Sequence, residues 1–336
     1  MTRPRIFDRL RVLARRLRPL LALWRVLPLA VLVVVVAVFR DEIARAAARM
    51  LDLRPIVFAI IPLYILWNHI AGYSWQSLIA ATAPDQPKVP ALRLALLRLQ
   101  SQAINMAIPA LIGLGGGALR IGLTRRVGLA SAAAAAVLDD IAGGVGGLLF
   151  VAGGVLLHSG ALFGIPYPTI AAIFGGVGVA LWLATVFGLP AVAARIRPER
   201  ALGQAARVLA HNRRRLVPAF TIGSAWHLAE RVLCAGEIYL AFLALGAPAG
   251  IADAAFVHAM SVAVGLLLFF LPGQPGAADA AIAAACATVG LDPSTGLTVA
   301  LVRRARTLAV IGAGLLSLAV MRRAEAVAPV AEAEGP

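Results

Sequence analysis

Charge is scarce in this chain. Asp, Glu, Lys and Arg make up 14% of its 336 residues, while 61% are hydrophobic. Soluble domains carry roughly a quarter charged residues, so an ordinary soluble fold is excluded. Acids are the scarcer sign, 16 against 31 Lys and Arg, for a formal net charge of +15. Cysteine is nearly missing. Cys234 and Cys286 sit in apolar surroundings and read as small core residues rather than as a disulfide or a metal pair. The ten-residue alternation of a membrane β-barrel is not found either; the apolar runs are longer and apolar on all sides. No Gly-Lys-Ser/Thr ending follows Gly115-Gly116-Gly117, and no small-residue cleavage site follows the apolar run that ends near Phe39. A nucleotide-binding loop and a cleavable signal peptide are therefore not expected. Nor is any cofactor.

What remains points to an all-α integral membrane protein with about seven to eight transmembrane helices. Apolar spans lie near 20–39, 55–81, 91–112, 127–157, 169–190, 216–246, 251–271 and 297–321. Arginines cluster beside these runs, the pattern of cytoplasmic flanks meeting anionic headgroups; no nucleic-acid-binding pattern accompanies them, and nucleic acid is not an expected partner. Residues 1–18 place Ile6, Leu10, Leu13 and Leu17 on one helical face with arginines around them. They form either an amphipathic helix in the headgroup layer or a disordered positive tail that fixes topology. The polytopic domain spans 19–323 and contains a basic loop, 195–215; residues 324–336 are a short acidic tail, expected to be disordered. The positive-inside rule places both termini and the basic loop in the cytoplasm, most simply with eight crossings of a bacterial inner membrane.

Two apolar stretches are broken by proline and glycine. The first holds Pro109, Gly113, Gly115, Gly116 and Gly117 and ends at Arg120; the second holds Pro272, Gly273, Pro275 and Gly276 and ends at Asp279. Proline removes a backbone donor and glycine admits positive φ, so each site interrupts a helix. Backbone freed in this way is tolerated in a bilayer only against protein or a watery cavity. Such interruptions in both halves point to a transporter's binding site and to an internal two-fold repeat.

Ionisable groups inside apolar spans are costly unless paired or hydrated. Asp139 and Asp140 lie mid-span about 100° apart on a helix, so at most one faces a common cavity. His227, Glu230, Cys234 and Glu237 follow an i, i+3, i+7, i+10 stripe beside Arg231, and Arg303, Arg304 and Arg306 are candidate partners for these acids. Each group has two readings: an ion pair that fixes helix register, or a headgroup ligand, with Arg120 and the Arg303 cluster holding an anionic phosphate. A metal reading of the stripe is disfavoured, since its order is His-x-x-Glu and no second copy exists.

The order of these features resembles the flippase-like transmembrane domain of the lysylphosphatidylglycerol synthase family. Asn105, Pro109, Gly115, Gly116 and Arg120 match the family's Asn, Pro, Gly-Gly and Arg of the first half. Pro272, Gly273, Pro275, Gly276, Asp279 and Arg303 follow its second half, over a resemblance covering roughly 20–323. The chain departs from the family where Asp139-Asp140 replaces a frequent Glu-Arg and where Asp279 replaces Glu. The resemblance implies a lipid flippase-like function with membrane lipids as partners. It implies no lysine transfer, because the soluble aminoacyl-transferase domain is not recognised here. Stand-alone relatives are associated with hopanoid, glycolipid or polysaccharide assembly, and the hopanoid-associated branch is similar in size.

The expected function is lipid transport in which Asn105, Pro109, Gly115, Gly116, Arg120, Asp139, Asp140, Glu230, Pro272, Gly276, Asp279 and Arg303 line a headgroup cavity. The alternatives are a non-catalytic scaffold for lipid assembly and an enzyme that modifies headgroups through His227, Glu230, Asp139 and Asp140. No motif names the lipid, the direction, an energy source or an oligomeric state.

Overall fold

The computed structural model describes residues 40–107, 120, 121, 127–193, 201–268 and 276–327. Residues 1–18, the first span, Pro109, Gly115, Gly116 and Pro272 lie outside these, as does the side chain of Asn105. Helix α1 covers Arg40–Met50, and a 3-10 turn (Pro55–Ala59) leads into α2 (Ile60–Thr82). Next come α3 (Ala91–Ala107), α4 (Leu129–Val155) and α5 (Tyr167–Leu183), which runs on through a π turn (Ala184–Gly188) and a last turn (Leu189–Ala193). The second half holds α6 (Ala201–His211), α7 (Arg213–Leu245), α8 (Ile251–Leu267), α9 (Ala277–Thr288) and α10 (Pro293–Val327). The only strands among the described residues form a hairpin pairing Ala161–Leu162 with Ile165–Pro166. Phe163 (φ 52°) and Gly164 (φ 79°) close it, the left-handed pair that a two-residue turn requires.

Pro55–Thr82, Leu129–Val155 and Tyr167–Val192 are long and apolar enough to cross a membrane. Helices α7 and α10 have the length as well but are interrupted by charge. Helix α10 continues to Val327, into the segment expected as a tail, and 328–336 lie outside the described residues.

The path of the chain follows from which ends meet. Thr82 at the end of α2 exchanges hydrogen bonds with Ser131 at the start of α4, so residues 83–128 return to the end they left. Ser77 bonds the carbonyl of Ala219, which brings the start of α7 to this same basic end. At the far end, Leu245, Ala247, Leu291, Asp292 and Thr295 line one depression of about 510 Å³. Residues 246–292 therefore also make no net crossing. The depth they reach is visible along α4: Gly154 packs against Ala255 and Ala259, and Gly147 against Val262 and Leu266. Helix α8 thus stops well short of the basic end. Helix α9 then runs back along α10, with Asp279 beside Arg304 and Ala283 against Gly296.

The two segments that hold the breaks form two arms, each leaving and returning at one end of the bundle. The seven to eight spans of the sequence divide into full crossings and these arms. The order α2, arm, α4 in the first half recurs as α7, arm, α10 in the second with its direction through the bundle reversed. That is the order an inverted repeat would have, and α6 lies between the halves.

Three apolar clusters are found among the described residues. Trp75, Leu78, Leu138 and Phe220 centre the one nearer the basic end; Phe242, Phe256, Ile282 and Val299 centre another, and a small third gathers Tyr64, Trp67, Cys234 and Val310. Without an aqueous hydrophobic force in lipid, close packing through small residues holds such helices together. A Cβ on Gly314 would lie 2.6 Å from the Ala103 Cβ and 2.9 Å from the Leu99 carbonyl oxygen, fixing the first arm on α10. Gly314→Leu is expected to destabilise by about 1–3 kcal/mol through overpacking. Nothing lies within 4 Å of a Cβ on Gly312, so Gly312→Leu should leave thermal unfolding in detergent unchanged. Equal midpoints for the two variants would contradict this packing.

Candidate functional site

Asp139 is the hub of a polar zone midway along α4 and is 1% exposed. Arg98 of α3 donates to its Oδ2 at 2.8 Å, and Arg120, just after the first break, donates to the same oxygen at 2.6 Å. Ser74 of α2 donates to Oδ1 at 2.8 Å. Arg120 also donates to Asp140 at 2.7 Å and lies 4.5 Å over the Trp75 ring. The helical offset between neighbours separates the two acids as expected: the Asp140 side chain is 69% exposed, that of Asp139 0%.

His227 of α7 closes this cluster. Its Nε2 is 3.0 Å from Asp139 Oδ1 and its Nδ1 2.9 Å from Glu230 Oε2. Both nitrogens can donate only from a doubly protonated ring. In that state Arg98, Arg120 and His227 match Asp139, Asp140 and Glu230 charge for charge. A buried set of this kind is stable only when each member is satisfied.

Further along α7, about two turns toward the far end, Glu237 belongs to a second cluster. It accepts from Trp67 Nε1 at 2.9 Å and from Arg306 at 2.9 and 3.0 Å. Arg306 stacks 4.7 Å over the Tyr64 ring, and the Tyr64 hydroxyl donates to Gln102. Asp279, just after the second break, accepts from Arg304 at 2.7 Å. Gly276 opens α9 with φ 89°, a conformation glycine admits freely.

The candidate residues therefore sort into two groups. Arg120, Asp139, Asp140 and Glu230 come together; Asp279 lies with α10, near Arg303. The stripe His227–Glu230–Cys234–Glu237 is continuous on α7 yet divides between clusters, because α2 and α10 supply the partners of Glu237. Cys234 and Cys286 are free and buried. Among the described residues no group of His, Cys, Asp and Glu has the arrangement of a metal site. The acids on α4 and α7 do not take partners from the Arg303 run as a set: Arg306 pairs with Glu237 and Arg304 with Asp279. Arg98, Ser74, Tyr64 and His258 were not singled out by sequence, and Trp67, which read as an interfacial residue, is buried against Glu237. An arginine inside the apolar run 91–112 was the signal for the first of them.

The two break-flanking pairs correspond across the repeat with their signs exchanged. Arg120 on the first arm meets Asp140 on α4, and Asp279 on the second arm meets Arg304 on α10. Asp140 and Arg304 each stand about three turns from the start of their helix.

The sequence model described as the lysylphosphatidylglycerol synthase TM region matches residues 17–314. No curated protein and no solved structure gives a significant match.

Proposed function

Because the chain belongs to the family of the lysylphosphatidylglycerol synthase transmembrane region, we propose that it carries a lipid between leaflets, its headgroup crossing the polar zone between the two break-flanking pairs. One observation carries this reading. The charges that follow the two breaks, Arg120 and Asp279, pair with α4 and α10, each about three turns from the start of its helix and so from opposite ends. A headgroup needs polar partners at mid-depth, while its apolar tails can remain in the surrounding lipid. The basic end faces the cytoplasm of a bacterial cell by the positive-inside rule, with both termini on that side. The reading is transport rather than catalysis. Among the described residues of the zone, Asp139, Asp140, Glu230, Glu237 and Asp279 all hold cations, leaving no free carboxylate as a general base.

Arg120 meets an incoming anion only by releasing Asp139 or Asp140, so it is suited to a role in opening the zone. Reconstitution into liposomes carrying a fluorescent phospholipid tests the proposal. Dithionite added outside is expected to quench the label of both leaflets with the wild-type protein, and Arg303→Ala to slow the inner-leaflet phase at least tenfold. Quenching confined to the outer leaflet with wild-type protein would refute transport.

A further inference from the structure

Arg231 and Arg303, both half-buried, differ from Arg98, Arg120 and Arg306. Neither guanidinium makes a hydrogen bond or ion pair with a described residue, and the Nε of each is buried without a partner. Arg231 precedes Cys234 and Ala235 by one turn on α7, Arg303 follows Val302 on α10, and His258 lies between Val257 and Ala259 on α8. Ala235, Val257, Ala259 and Val302 belong to one apolar cluster, so the helix turns that carry the three polar side chains lie beside the same core. His258 is 1% exposed, and neither of its ring nitrogens has a partner. Its ring packs at 5.2 Å on Phe150, and its charged neighbours are Arg303, Arg231 and Arg306.

The carboxylates nearby are already engaged. Glu237 holds Arg306 and Trp67, Asp279 holds Arg304, and Glu230 holds His227. Arg231, Arg303, Arg304 and Arg306 thus face Glu237, Asp279 and Glu230, and Glu230 is already shared with His227 and Arg98, so the cations outnumber the acids here. Cations in an apolar span call for a counter-charge, and a buried imidazole without a partner marks an absent one. Helices α7, α8 and α10 contribute one group each, next to the arm whose break follows α8.

We infer that Arg231, Arg303 and His258 form a binding site for a phosphate group. Two guanidinium forks and one imidazole N–H supply donors for three or more oxygens, which suits a tetrahedral phosphate better than a planar carboxylate. Taking that phosphate as part of a lipid headgroup rests on the transport reading; the site itself does not. Arg120, by contrast, is engaged by Asp139 and Asp140.

Calorimetric titration of the full chain in detergent with dihexanoyl phosphatidic acid, dihexanoylglycerol and inorganic phosphate tests the site. The phosphatidic acid is expected to bind, Arg231→Gln and Arg303→Gln each to weaken it at least tenfold, and dihexanoylglycerol to give no saturable heat. Inorganic phosphate binding tenfold or more weaker at the same residues supports a lipid phosphate; binding as tight as the lipid supports the site and assigns it to free phosphate. Undiminished binding in both variants, or equal binding of dihexanoylglycerol, overturns the site. Without ligand, Arg303→Met should keep or raise the thermal midpoint, because the charge it removes has no partner; a fall as large as that of Glu237→Ala overturns it too. Liposome exchange is read separately. Exchange without phosphate binding removes the site and leaves transport, and binding without exchange does the reverse.

Discussion

Replacement of Asp139 by alanine is expected to destabilise the protein by about 3–5 kcal/mol, enough to abolish recovery of folded material from many membrane preparations. The size follows from what the side chain holds. Arg98, Arg120 and Ser74 donate to it and His227 faces it, at distances of 2.6–3.0 Å, all within a buried zone. Its loss leaves two guanidinium groups and an imidazolium with Glu230 and Asp140 alone. Asp140→Ala is the matched contrast. That side chain is largely exposed and answers only Arg120, so its loss should cost no more than about 1 kcal/mol. Thermal unfolding of both variants in one detergent decides the matter, and similar losses would mean that the hub is not Asp139.

The second large effect is expected at Glu237. Glu237→Ala strips Arg306 and the Trp67 indole of their shared acceptor, beside Arg303 and Arg231, which already have none. The uncompensated charge should cost about 3–5 kcal/mol. Removing the partner as well, in Glu237→Leu with Arg306→Met, should restore most of that stability, because an apolar pair of similar volume avoids desolvating two ions. A double variant as unstable as the single one would show that Glu237 serves chiefly through Trp67.

The division between Asp139 and Asp140 and the pairing potential of the α7 stripe were legible because they depend on local chemistry; the breaks themselves lie outside the described residues. Adjacent helical positions diverge by a fixed angle, and positions three or seven apart share a face. The return of each broken segment to the end it left was not legible, since direction after a break is set by packing such as Gly296 on Ala283 and Thr82 on Ser131. Partner choice was hidden for the same reason. Arg303, Arg304 and Arg306 are near neighbours in sequence, yet they project in different directions, and only the placement of α7 and α9 decides that Arg306 reaches Glu237 and Arg304 reaches Asp279 while Arg303 reaches neither. His258 stands out as a lone imidazole in a largely apolar helix, but no neighbour in sequence gave it a partner or a role.

The exchanged signs of the Arg120–Asp140 and Asp279–Arg304 pairs bear on the membrane potential. In the proposed transport, with both arms moving the same way along the bilayer normal, like charges on them would cross the field together, at about 2.3 kcal/mol per full charge for each 100 mV. An arginine moving with an aspartate would do no net electrical work, and the voltage dependence of the proposed cycle would then be set by the charge of its cargo.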